Sequence, residues 1–223
     1  MAGNISRQQR FVDWIESVVL QNKALSWQAR IEAMHREAKT LIASGVTTIG
    51  DYFSHPELLA EYQTLPFRQE LFLETLGFQR EVAESRAGEV AALLEEHPGH
   101  GNQIRLAVAP HAPYSVSPEL FRRLKQLADQ WHCRLSCHLA EVREEFQFLR
   151  TGRGDFLELL KSREVYDDQW SPPGVGPVTY LDQLGVLEGM TCIHLNHIDR
   201  RDLERLAQSH ASAVFCPGST RWF

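Results

Sequence analysis

Six short runs of β-branched and apolar residues, each separated from the next by a longer amphipathic stretch, constrain this chain more than any other feature. They are VTTIGDY, FRQELFLETLG, IRLAVAP, RLSCHLAE, MTCIHLNHI and SAVFCPGS. Strand pattern followed by helical period, repeated in the same order, is the rhythm of βαβ units, in which parallel strands are joined by crossover helices. The spacing predicts helices over roughly 7–20, 26–43, 81–96, 117–131 and 143–160, the last broken by the glycines at 152 and 154. Gly45 stands where a helix C-terminus favours glycine, and Ser117 with Pro118 suits an N-cap and first helical residue. A short helix is expected over VTYLDQLGVL, and another over DRRDLERLAQS with Leu203 and Leu206 on its apolar face. The paired prolines of WSPPGVGP mark 161–177 as a loop or insertion, so Trp170 belongs either to a lid or to a plain surface loop. No repeat, low-complexity tract or Gly/Ser linker divides the elements. Residues 1–223 are expected to form one α/β domain.

Bulk composition removes several function classes. A net charge of -6, with no stripe of Lys and Arg, argues against nucleic acid as a partner. No apolar window is long enough to span a bilayer and MAGNISRQQR lacks the apolar core of a signal peptide, so a cytoplasmic protein without a membrane partner is expected. The four cysteines, Cys133, Cys137, Cys192 and Cys216, lie in or beside apolar runs without CxxC spacing, which suits buried thiols better than a disulfide or a thiolate zinc site.

In parallel α/β architectures reactive side chains project from the carboxyl ends of strands. His111 follows LAVAP, His138 follows RLSC, His194 follows MTCI, and Cys216 with Ser219 follows SAVF. One histidine at a strand end would mean little, since buried imidazoles often only satisfy a neighbouring carbonyl; three at matching positions point to a site. In HLAE, His138 precedes Glu141 by three residues. A turn after the histidine could set the carboxylate beside whatever the imidazole binds, although Glu141 could equally begin an exposed acidic helix, EVREE. Neutral imidazole suits zinc or ferrous iron, and a nearby carboxylate can take a proton from activated water. GxSxG, HExxH, P-loop and GxGxxG signatures are absent, and His55-Pro56-Glu57 lacks the PCxxC that a cytidine-deaminase pattern requires.

Together these segments resemble the amidohydrolase superfamily, in the branch of chlorohydrolases and of guanine, adenosine-type and aminofutalosine deaminases. GVTTIGD is similar to the family's second-strand motif, APHAPYSVSPEL to the fourth, HLAEVREEFQFLRTGRGDF to the fifth, CIHLNHIDRRDLERLA to the sixth and AVFCPGS to the seventh. The resemblance implies an incomplete (β/α)8 TIM-type barrel of about strands 2 to 7. It implies His138 as a metal ligand, Glu141 as the proton shuttle, His194 as the histidine that orients or polarises substrate, and His111 and Ser219 as substrate-side residues. His197 falls at a more variable position and is read as structural. The implied reaction is hydrolytic deamination, or a related C–N or C–halogen cleavage, at a trigonal carbon. Its substrate would be a small molecule such as an amino-substituted heterocycle or a nucleoside-like compound.

The family's first-strand HxH pair, eighth-strand aspartate and accessory β-sandwich have no counterpart in the sequence; His97 and His100 are spaced HxxH in a Gly/Pro turn. A catalytic zinc normally has three or more protein ligands. With only His138 in that role, a zinc or iron is expected to bind this chain weakly or not at all, and the chain is expected to be inactive alone. The alternative is a non-catalytic remnant serving as an interaction or scaffold protein, and association into a homo-oligomer is compatible with either. A metal-free aldolase barrel of the Schiff-base type is disfavoured because no lysine stands at a strand end.

Overall fold

The computed structural model describes residues 10–97 and 103–222, for Trp222 the backbone alone. His100 and the predicted helix start at residue 7 lie outside the described residues. In chain order the elements are α1 (Phe11–Ala24), α2 (Trp27–Ala43), β1 (Thr48–Phe53), α3 (Leu59–Tyr62), β2 (Arg68–Thr75), α4 (Ala83–Glu96), β3 (Ile104–Pro110), α5 (Pro118–Gln130), β4 (Ser136–Leu139), α6 (Arg143–Thr151), α7 (Asp155–Ser162), α8 (Pro177–Gln183), β5 (Thr191–His194), α9 (Arg200–Gln208), β6 (Ser212–Val214) and α10 (Pro217–Trp222). Helix termini follow local chemistry. Ser26 and Ser117 accept the Ala29 and Leu120 amides as N-caps, and Asp199 forms a capping box with Asp202. Gly45, just past α2, takes φ +84, and Gly152 and Gly154, at φ +66 and +98, part α6 from α7 where the sequence places the break.

All strand pairs are parallel, and the strands lie in chain order as two leaflets, β1-β2-β3 and β4-β5-β6. Among the described residues a single bridge, Val108 in β3 with Leu135 just before β4, joins the leaflets, and the His138 amide donates to the His111 carbonyl further along the seam (2.9 Å). The result is a partial TIM-type α/β layer, and the described strands do not close into a barrel. Because every strand runs the same way, all their carboxyl ends face one side. None of the described helices is long and apolar enough to cross a membrane.

The main core lies between the strands and α4 to α8, with Leu71, Val108, Leu120, Leu124, Leu139 and Leu181 fully buried. Three sequence expectations are corrected here. Trp170 belongs to neither lid nor surface loop: it is buried and stacks on Phe148 (centroids 4.7 Å, interplanar 9°), anchoring the Pro-rich segment to the core. Leu203 is 55% exposed, because α9 turns Asp202 and Leu206 inward instead. SAVFCPGS is strand only to Val214; Pro217 then opens α10, which carries Ser219.

Candidate active site

The carboxyl ends of β1 to β5 bring Tyr52, Glu74, His111, His138 and His194 to the common face. The sheet ladder continues through these residues: the His111 amide donates to Thr75 O (3.0 Å) and that of Leu195 to Leu139 O (3.0 Å). The rings therefore stand in a row, His111 to His138 at 5.2 Å and His138 to His194 at 5.3 Å between centroids. Tyr52 stacks on His138 at 4.3 Å and is itself held by a 2.8 Å hydrogen bond between its hydroxyl and Ser136 Oγ.

β4 stops at Leu139 because Ala140 turns left-handed (φ +54), and His194 and Leu195 do the same after β5 (φ +79 and +53). Left-handed backbone in residues other than glycine costs of order 1–3 kcal/mol each and persists only where surroundings enforce it. Glu145 does so after β4. It reaches back from the first turn of α6, accepting the Ala140 amide on Oε1 and the Glu141 amide on Oε2, both at 3.1 Å. The segment EVREE is thus no exposed acidic face: Glu145 is 0% exposed, and Glu141 lies in the turn before the helix with its side chain 11% exposed.

Two serine hydroxyls contact the imidazoles at Nδ1. Ser115 Oγ donates to Ala112 O (3.2 Å), so it accepts from His111 Nδ1 (2.6 Å). Ser219 Oγ donates to Cys216 O (3.1 Å) and accepts from His194 Nδ1 (3.1 Å). With each hydroxyl hydrogen given to its carbonyl, the imidazole hydrogen sits on Nδ1 and the lone pair on Nε2. For His194 that lone pair faces Glu141 Oε1 at 3.4 Å, so a proton between them belongs to the carboxyl. Burial acts in the same sense, raising Glu141 to about 7 and lowering His194 to about 4. Burial also lifts Glu145 to about 8 against the pull of its two amide donors.

His138 is held neutral, well below the usual imidazole range, first by burial and then by His111 and His194; burial likewise lowers His111. The His138 Nδ1 is buried without a hydrogen-bond partner. Neutral imidazole is the ligating form. Glu74 joins the two histidines, and ligating atoms of Glu74, His111 and His138 all lie within 4.8 Å of one another, the one such group of three among the described residues. The donor set, two imidazoles and a carboxylate, fits zinc or ferrous iron.

Of the residues singled out from sequence, His111, His138, Glu141, His194 and Ser219 thus come together. His197 stands at the margin, its amide donating to Ala140 O (3.1 Å). Sequence reasoning passed over Glu74, although an acidic residue closing the apolar strand RQELFLET obeys the same strand-end rule that selected the histidines. It also passed over Tyr52 and Glu145. Nothing in the local pattern separates Glu145 from its exposed neighbours.

Comparison with known proteins gives a consistent placement. The sequence profile of the amidohydrolase family matches residues 3–221. An aminodeoxyfutalosine deaminase of Deinococcus radiodurans is 30% identical over 225 aligned positions, which cover 94% of this chain and 51% of that protein. Among solved structures, the Helicobacter pylori aminofutalosine deaminase in complex with methylthio-coformycin superposes with a TM-score of 0.80 at 24% identity, over 96% of this chain and 52% of that one. An adenosine deaminase from Xanthomonas campestris with bound zinc gives a TM-score of 0.69 at 21% identity, over 95% and 45%. The chain spans about half the length of these relatives.

Proposed function

The chain belongs to the amidohydrolase family, and from that premise we propose that it carries the proton-transfer half of a metal-dependent deaminase site. The reaction is hydrolytic deamination of an amino-substituted ring carbon in a nucleoside-like or heterocyclic substrate. Water adds to the carbon, the C–N bond breaks, and ammonia leaves with the proton that water gave up. His138 would help to hold a divalent metal, which would supply activation of the water and polarisation of the substrate.

The observation that carries this reading is the Glu141–His194 pair beside His138, with Oε1 and Nε2 at 3.4 Å. A carboxyl raised to about 7 is half protonated near neutrality, so Glu141 can take a proton at Oε1 and return it to the departing nitrogen with little driving force lost either way. His194 Nε2 accepts a hydrogen bond from the protonated carboxyl and so orients that proton, with Ser219 at the Nδ1 side of the ring. His111 borders the same space from β3. Tyr52, lying flat on His138, excludes water from one side of the ring. The likeness to an aminodeoxyfutalosine deaminase supports a small-molecule substrate from which an amino group is removed.

The test assays the chain, alone and with whatever flanking coding sequence its gene carries. Zinc or ferrous iron is added, and ammonia release is followed over a panel of amino-purine and amino-triazine compounds. Release is expected where flanking sequence is present and little or none from the chain alone, with Glu141→Gln slowing it by roughly 10²- to 10⁴-fold, the range for loss of a positioned acid–base group. Equal rates in the variant and the wild type, or no release from any compound in either form, would overturn the reading.

A further inference from the structure

We propose that Glu74, His111 and His138 form a three-ligand site able to hold one divalent transition metal within this chain. The inference rests on His138 as a ligand and is independent of deamination. It reverses the expectation drawn from sequence, where His138 stood alone and binding was expected to be weak or absent.

Distances come first. Glu74 Oε1 lies 3.9 Å from Nε2 of His111 and 3.9 Å from Nε2 of His138. Both gaps exceed hydrogen-bond reach, so no shared proton joins the atoms. Around a tetrahedral zinc with bonds of ~2.0–2.1 Å, neighbouring ligand atoms stand ~3.4 Å apart. Closing the two Glu74 gaps by ~0.5 Å each, and drawing together the two imidazole nitrogens, which lie within 4.8 Å of one another, would complete three corners of such a site.

Each ligand is also held from behind. Ser54 Oγ donates to Glu74 Oε2 at 2.5 Å, which leaves Oε1 for the imidazoles. The Ser115 hydroxyl, committed to Ala112 O, takes the His111 Nδ1 hydrogen and turns the Nε2 lone pair toward Glu74. Partners of this kind orient ligands and set their tautomers in metal sites. His138 is held by the Tyr52 ring. Its buried Nδ1 has no protein partner, and its Nε2 looks across the gap at Glu74. It is the His138 Nε2 atom, facing a carboxyl oxygen and within 4.8 Å of a second imidazole nitrogen, that has the surroundings of a ligand atom. The three side chains keep 17–22% of their surface exposed, enough for an ion to enter from the common face. Two nitrogens and one oxygen favour zinc, cobalt(II) or iron(II) over magnesium or calcium. His111 would then meet a substrate through the cation it holds.

The experiment titrates the full chain with cobalt(II), following its ligand-field absorption, and with zinc in competition. One cobalt per chain is expected, with the intense bands of low-coordinate geometry. Glu74→Gln and His111→Asn should each weaken binding at least 10-fold, and Ser115→Ala, which only frees the tautomer, about 10-fold. His210→Asn, at an exposed His–Glu pair 3.0 Å apart, should leave the titration unchanged and so measures adventitious surface binding. Circular dichroism identifies any variant that fails to fold, and Ser115→Ala, which leaves all three ligands in place, then decides the case. Absence of stoichiometric binding, or equal affinity in wild type, Glu74→Gln and His111→Asn, would overturn the proposal. Tight cobalt binding without ammonia release would instead sink the deaminase reading and leave this one standing.

Discussion

Replacing Glu145 by glutamine should change how stability depends on pH as well as its size. Burial raises the Glu145 carboxyl from 4.5 to about 8, so between those values the folded chain keeps a proton that the unfolded chain has lost, and stability falls as pH rises. Each pH unit in that window costs ~1.36 kcal/mol per proton, or ~2 kcal/mol between pH 6.5 and 8. Glu141, raised to about 7, contributes less than ~1 kcal/mol over the same interval. The lower bound is set by His111, His138 and His194. All are pushed below 6.5, so the unfolded chain takes up their protons first as pH falls, and stability is lost toward acid by the opposite linkage. Stability should peak near pH 6.5. Glutamine keeps the volume but accepts one amide hydrogen where the carboxyl oxygens accept two, and an orphaned buried N–H costs about 1–3 kcal/mol. Urea unfolding followed by tryptophan fluorescence should find Glu145→Gln less stable by about that much at pH 6.5, with the gap closing by ~2 kcal/mol at pH 8. Parallel stability curves for the two proteins across this range would refute the reasoning.

Ser117→Ala should cost ~1 kcal/mol by removing the cap that accepts the Leu120 amide, seen as a lower urea midpoint at unchanged slope. Phe148→Ala should cost about 3–5 kcal/mol in the same assay, since the ring is fully buried and its loss also unseats Trp170. Ala140→Gly should raise the thermal midpoint, gaining up to ~1 kcal/mol from relief of the left-handed alanine; an unchanged or lower midpoint would mean that Glu145 has already absorbed the strain.

Much of the fold was legible because its signals are local. Alternation of strand and helix period set the element order, and Gly45, Ser117 and the glycines at 152 and 154 set ends that differ little from those observed. The histidines at strand ends were legible by the same logic, since parallel strands put every carboxyl end on one face. What escaped depends on which way a side chain turns in three dimensions. Leu203 and Leu206 fit one apolar stripe equally well, yet only Leu206 is buried. Glu144 and Glu145 are adjacent acids, and only packing behind the β4 turn makes Glu145 an internal cap. Trp170 sits in a Pro-rich stretch that reads as surface, and its burial is decided by Phe148, 22 positions earlier.

The seam between the leaflets has a mechanical consequence. Among the described residues Val108 and Leu135 form the one bridge there, just before β4 begins, and beyond it β3 and β4 meet through the His138 amide and the His111 carbonyl. Glu74 and His111 stand on one leaflet and His138 on the other, so a cation shared by the three is a rivet through the joint. Metal affinity and leaflet adhesion then become two measures of one coupling free energy, each strengthened by the other to the same degree. A substitution that pries the seam apart far below the site would loosen the ion, and filling the site would stiffen the whole sheet.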